Sequence, residues 1–559
     1  MTRNARLART RGTLGCVFAV LLTSCTTLLT RDDYAAYRPP PKDVRSIEAV
    51  ALDALSRSEP TSVEDAAGSP AETVVVQEVA ESMDLSIADV RAAALANNLD
   101  LKVALVDPSI LREDVTEAEA EFEPLLFGSI RQDKIDQPST IVDGTGTQAT
   151  ATSYDMGVQI PLRTGGTVSV SLPFGKTDDR TLRESADSDL DFINPTYQSA
   201  LKFTFSQPLL RDAGIRTNTH AIRVAKYSRD IADARTKLEA IRILANADQA
   251  YWLLYAARGE HRIRQEQHEK AQQQLEQAKL RVAAGDAPEI EIMRAESGVA
   301  RRLEAIIVAE TEVRRRERDL KRVMNRDGLS MSSPTSLLPV TEPNPIGLDL
   351  DAEALAENAV ANRMEMLEIE LQLAIDASKV DFERNATLPL LTLDYSYTIN
   401  ALAGSFNDAF RGVGRGSFAD SSIGLTAQIP LGNKAARSRL RRTMFERVQR
   451  LATRNQRRLA IRQEVFDALD QLQQSWQRIL AARREVDLAE RTFRAEKRQF
   501  DVGLRTSTEV LEADARLGDA QSRRIRALAA YEMAQIDIAY ATGTLLGKDR
   551  VIWESAEID

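Results

Sequence analysis

Three histidines and two cysteines are the soft metal ligands and thiols of the 559-residue chain. His220, His261 and His268 share no metal-ligand spacing. His261 and His268 fall seven apart on a helical pattern and read as surface positions. Cys16 and Cys25 cannot build a disulfide framework or a cysteine-based zinc site. Gly412-Val413-Gly414-Arg415-Gly416 is glycine-rich, but it lies in a loop between two alternating segments, which does not fit a dinucleotide fingerprint. With no nucleophile triad, phosphate loop or metal cluster, the sequence predicts neither an enzyme nor a cofactor. The chemistry that remains is that of carboxylates near two short stretches, 282–289 and 501–509. Each sets a Gly between long helical patterns, Gly285 or Gly503, then a polar residue, Asp286 or Thr506, then a Glu three positions on, Glu289 or Glu509. Gly supplies the positive φ that ends one helix, and the polar residue with its Glu forms a capping box for the next. Each stretch is therefore expected to be the tip of a helical hairpin.

Charged residues make up 28% of the chain and aromatics 5%, a balance that suits long helices with solvated faces. The net charge of -10 excludes general nucleic-acid binding, which needs a basic face. Arg3, Arg6, Arg9 and Arg11 precede an apolar run, 14–22, too short to cross a membrane, so residues 1–24 read as a signal peptide. It ends Leu22-Thr23-Ser24-Cys25, which resembles a bacterial lipobox. That resemblance implies cleavage before Cys25 and acylation of its thiol, with each buried CH₂ of the lipid worth about 0.8 kcal/mol. Thr26 stands where an Asp would resemble an inner-membrane retention signal, so the outer membrane is the expected destination. Residues 25–85 then read as an acidic, mostly disordered tether.

From Ser86 onward the chain runs through one plan twice. Helical spacing over 87–97 and 108–121 gives way at Pro124 to alternating segments, including Met156, Val158, Ile160 and Leu162, then Val168, Val170 and Leu172, then Leu201, Phe203 and Phe205. Gly165-Gly166 marks a hairpin turn. The runs approach the ~9–11 residues of a membrane-spanning barrel strand. After Pro208 a helical pattern of roughly seventy residues, about 100 Å long, reaches Gly285 and returns to about Asn325. A Ser/Pro/Gly-rich connector spans 326–350. Then Pro389, an alternating pair of segments, Pro430, Gly503 and a return to Leu546 repeat the scheme. Pro208 and Gly285 recur as Pro430 and Gly503 about 220 residues later, the mark of an internal duplication. The domains read as 86–325 for the first repeat, 351–546 for the second and 547–559 for a tail. The first repeat carries an extra alternating hairpin, Met156 to Phe174, which would enlarge any barrel unless it sits outside the wall.

A duplicated unit of helices, paired strands and a long helical hairpin behind a lipobox resembles the TolC-like outer-membrane efflux proteins. Gln207-Pro208-Leu209-Leu210, Ala284-Gly285 and Val502-Gly503-Leu504-Arg505-Thr506 carry the resemblance most specifically. It implies a mainly α fold with transmembrane β: long hairpins forming a periplasmic tunnel, and strands pooled by three chains into one barrel. It implies a passive channel of a tripartite efflux or secretion system, with outer-membrane lipid, a periplasmic adaptor, an inner-membrane pump and two further copies of the chain as partners. By position it implies adaptor contacts at Gly285, Asp286, Val502, Gly503 and Leu504. It also implies a gate at Glu291, Glu509 and Glu512, with Arg505 as its tethering cation. Three-fold symmetry would turn each carboxylate into a ring that attracts cations. Two other classes remain at this point, a periplasmic adaptor and a structural coiled-coil surface protein. The first would show one hairpin flanked by Gly-rich β modules, and the second sustained heptads without strands.

Overall fold

The computed structural model describes residues 81–137, 147–179, 193–416, 418–502, 504–549 and 551. The leader, Cys16, Cys25 and nearly all of the tether lie outside these residues, as does Gly503 at the second tip.

The first round of the plan opens with a short strand, β1 (Ser82–Leu85), and helices α1 (Ile87–Asn97), α2 (Leu99–Ala104) and α3 (Asp107–Ala120). Ser86 starts α1 with a capping box: its hydroxyl accepts the Asp89 N–H at 3.1 Å, and the Asp89 carboxylate accepts the Ser86 N–H at 3.2 Å. Asn98 ends α1 and caps α2 by accepting the N–H groups of Asp100 and Leu101. Strands β2 (Leu125–Gln137), β3 (Thr147–Pro161), β4 (Thr167–Ser171), β5 (Phe174–Asp179) and β6 (Thr196–Pro208) follow. A short helix α4 (Ile215–Asn218) then leads into the hairpin of α5 (His220–Ala283) and α6 (Ile290–Met324). The second round comprises β7 (Ser336–Pro339), α7 (Ala352–Asn362), α8 (Met364–Ala386), β8 (Leu390–Ala403), α9 (Phe406–Arg415) and β9 (Phe418–Gln428). Its hairpin is α10 (Lys434–Asp501) and α11 (Ser507–Ala541), and α12 (Leu545–Lys548) follows. With 64 and 68 residues, α5 and α10 each run about 100 Å. No described helix is long and apolar enough to cross a membrane.

Two features depart from the sequence reading. The connector 326–350 holds β7, which pairs in parallel with β1. Tyr251, fully buried near the middle of α5, pins this pair: its hydroxyl donates to the Leu85 carbonyl at 3.2 Å and accepts the Thr341 N–H at 2.8 Å. The Gly-rich stretch 412–416, read as loop, is mostly the end of α9. Ser405 caps that helix by accepting the Asp408 N–H at 3.3 Å, which the Gly content had masked. Around Tyr251, α1, α5, α6 and α11 share a core of Val90, Leu244, Leu254, Leu320 and Met324 into which Leu545 of α12 inserts. A second core gathers Ile461, Val465 and Leu469 of α10 with Tyr531 and Ala534 of α11 and Ala356 and Ala359 of α7.

The remaining strands form one antiparallel sheet in the order β2-β3-β4-β6-β8-β9, with β5 also between β3 and β6. β4 pairs with Gly157–Pro161 of β3 and β5 with Ala149–Tyr154, so the two occupy successive halves of one strand position, broken at Leu172-Pro173. The extra hairpin is thus part of the same sheet. The first repeat supplies four strand positions and the second two. Side chains alternate as a half-buried strand requires. Val158, Val170, Phe203, Tyr397 and Tyr395 share one apolar face through the register. On the other, Ser206 donates to Asp394 at 2.7 Å, Asn400 donates to Asp420 at 2.6 Å, and the Ser396 and Ser422 hydroxyls meet at 2.8 Å. Within the described chain β2 and β9 are edges, each with one side unpaired.

Candidate functional site at the hairpin tips

The first tip closes through its backbone. Gly285 takes φ +79°, and the Asp286 N–H donates back to the Arg281 carbonyl at 2.9 Å, the 6→1 bond of a left-handed helix end. The expected capping box of Asp286 and Glu289 does not form. Ala287 precedes Pro288, and the residue before a proline is disfavoured from helical geometry, so α6 begins only beyond Pro288. Its first N–H groups donate to the Pro288 and Glu289 carbonyls at 3.0 and 3.1 Å, and Glu289 makes no side-chain cap.

The second tip closes through side chains, as expected. Thr506 is extended, and the Glu509 carboxylate accepts its N–H at 2.8 Å and its hydroxyl at 3.1 Å. The Thr506 N–H and then the Arg505 guanidinium hold the Glu509 carboxyl below its ordinary pKa. Arg505 Nη1 lies 2.5 Å from Glu509, and its Nε lies 3.2 Å from Glu496 and donates to Gln499 at 2.9 Å. Arg505 therefore ties the tip loop to both helices of its own hairpin. Glu512, one turn further, stands apart on an exposed face with Arg516 at 3.6 Å.

The two tips touch. The Ser507 hydroxyl, in the first turn of α11, donates to the Glu291 carboxylate of α6, and Glu291 also pairs with Arg294 at 2.8 Å. Across the other helices, the Arg281 guanidinium sits 4.3 Å from the centroid of the Phe500 ring. So Arg505 and Glu509 come together, Glu291 joins the two hairpins, and Glu512 joins neither group. Gly285, Asp286, Val502 and Leu504 are all exposed at the end of the molecule, Leu504 at 76%. Leu280, Ile290 and Met293 add exposed apolar surface at the first tip.

Two turns behind the second tip, a charge cluster that sequence reasoning missed lies between the hairpins. Asp514 of α11 is buried, 3.4 Å from Lys270 of α5 and 3.8 Å from Arg302 of α6. The Gln267 amide donates to the Asp514 carbonyl at 3.2 Å, and Arg302 donates to the Leu511 carbonyl at 3.0 Å. Burial lowers the Arg302 pKa, and the attraction of Asp514 opposes that shift. The available signal was an acidic residue inside the apolar stripe of α11, between the buried Val510 and Leu517.

Residues 355–544 match the family model described as outer membrane efflux protein. No curated protein matches the chain in sequence. Several solved structures match its fold. CusC, whose structures concern folding and transmembrane channel formation, is 15% identical with a TM-score of 0.60, over 84% of this chain and 95% of its own. The CmeC outer membrane channel of Campylobacter jejuni is 15% identical at 0.61, over 82% and 86%. The outer membrane protein VceC of Vibrio cholerae is 14% identical at 0.58, over 82% and 96%. Residues 355–544 thus carry the sequence pattern of the outer membrane efflux protein family, and the chain has the fold of such channels along most of its length.

Proposed function

We propose that this protein is the lipid-anchored outer-membrane duct of a tripartite efflux or secretion system. It receives substrates from an inner-membrane pump through a periplasmic adaptor and conducts them passively outward. The observation that carries this reading is the sheet of membrane-length strands, apolar on one face and hydrogen-bonded on the other, continued by hairpins about 100 Å long. The unpaired edges of β2 and β9 call for further copies of the chain, because an open edge has no partner within the hydrocarbon of a membrane. Three copies would pool eighteen strand positions, six from each, a count at which barrels enclose an aqueous channel.

In this reading Cys25 carries the lipid, and the exposed Gly285, Asp286, Val502 and Leu504, with Gly503 between the last two, meet the adaptor. Glu509 and Glu512 form acidic rings at the entrance with Arg505 as tether, and Glu291 is the first-repeat counterpart. Fractionation of cells producing the full chain tests it. The protein is expected in the outer-membrane fraction, resistant to carbonate and running as a heat-modifiable trimer. Release by carbonate as a monomer would overturn the reading.

A further inference from the structure

Helix α9 packs on the apolar face of the sheet. Ala409 is fully buried there, and Gly412 comes so near β8 that a Cβ would stand 2.7 Å from that of Ala401. Ala401 follows Tyr397 and Ile399 at two-residue spacing and so lies on the same apolar side. Phe406 meets Phe174 edge-on with ring centroids 4.6 Å apart, and Phe174 lies 5.9 Å from Tyr154 on that face. Phe410 stacks beside Phe406 at 6.2 Å, and the two remain 57% and 49% exposed. Helical spacing puts the exposed Arg411 and Arg415 on the opposite flank. Among the described residues neither guanidinium pairs with a carboxylate, and Asp408 is engaged by Ser405 at the cap, 2.7 Å away. A helix lying in the lumen would rest on the other face, where Asp394 and Asn400 are bonded across strands.

We propose that α9 is an interfacial helix strapped to the outside of the barrel wall, at the end of β8 away from the hairpins. Phe406 and Phe410 enter the acyl region, continuous with the apolar face of the sheet. Arg411 and Arg415 reach the phosphates of anionic lipid headgroups. An amphipathic helix with aromatic and basic flanks is suited to this boundary, and its basic flank supplies charge complementarity to that surface. The inference rests on the barrel reading above.

The test uses the full chain reconstituted in vesicles of phosphatidylcholine with brominated acyl chains. Phe410→Trp and Tyr395→Trp each add an emitter to the parent protein. Both added emissions are expected to be quenched, Phe410→Trp more by shallow bromines and Tyr395→Trp more by deep ones. Quenching of Tyr395→Trp alone, with Phe410→Trp quenched by aqueous iodide, would overturn the placement of α9 and leave the barrel standing. Quenching of neither would overturn the barrel reading itself. Adding phosphatidylglycerol should shift the Phe410→Trp emission to the blue, and Arg411→Gln with Arg415→Gln should abolish that shift. A shift that survives the double substitution, or none in the parent, would overturn the headgroup contact.

Discussion

The two hairpin tips come from similar sequence and are held in opposite ways. The first is closed by backbone bonds around Gly285, and its helix α6 starts late, behind Pro288. The second is closed by side chains, with Glu509 bonded to Thr506 and Arg505 bonded to both arms of its own hairpin. A Gly–cap–Glu pattern therefore forms a capping box only where the residue after the cap is free to turn helical. The carboxylates differ too. Glu509 is satisfied within its own hairpin, whereas Glu291 of the first is tied across to Ser507. If the second hairpin moves when the entrance opens, it must break the Glu291–Ser507 and Arg281–Phe500 contacts, both supplied by the first.

The largest effect expected from this contrast lies behind the tips. Asp514→Ala removes the buried carboxylate and leaves the half-buried Arg302 facing Lys270 without its counter-charge. Removing one partner of a buried charge set costs on the order of 3 kcal/mol, so the thermal midpoint of the extracted protein should fall by several degrees. A midpoint within a degree of the parent would show that the hairpins are not joined there. Next comes the tie between tips. In a double-mutant cycle of Glu291→Gln and Ser507→Ala, the coupling should be about 1–2 kcal/mol, as for a charge-assisted bond at a partly open site. Zero coupling would make the tips independent. The smallest expected effect sharpens the contrast in capping. Thr506→Ala should cost about 1 kcal/mol. Asp286→Ala, which removes no cap bond, should stay within about 0.5 kcal/mol. The Glu509 carboxyl titrates below the ordinary glutamate range when folded, so its contribution is present above that range and lost as pH falls through the lower folded value. The penalty of Thr506→Ala should accordingly shrink on strong acidification, and a penalty independent of pH would count against the capping box.

Much of this architecture was legible because it follows from periodicity and punctuation. The alternation at Val168 and Val170, at Leu201, Phe203 and Phe205, and at Tyr395 and Tyr397 marks the strands that form, and the paired Pro and Gly positions mark the duplication. The features that escaped depend on tertiary contact. β1 and β7 are four residues each, too short for a period, and exist because Tyr251 and their mutual pairing hold them. α9 carries two Gly that argue against a helix, but Gly412 is what lets it lie against Ala401. At the first tip a local rule, the effect of Pro288 on Ala287, outweighed the capping pattern. The partners of Asp514 come from helices more than two hundred residues away in the chain, a distance no spacing argument bridges.

Reversal potential in planar bilayers, with the full chain under a potassium chloride gradient, tests the duct and its acidic entrance together. The account predicts discrete conducting channels that prefer cations. That preference should fall with Glu509→Ala and Glu512→Ala combined, and should persist in Thr506→Ala, which opens the capping box but keeps both carboxylates. Absence of channels would contradict the duct, and an unchanged reversal potential in the double variant would contradict the gate.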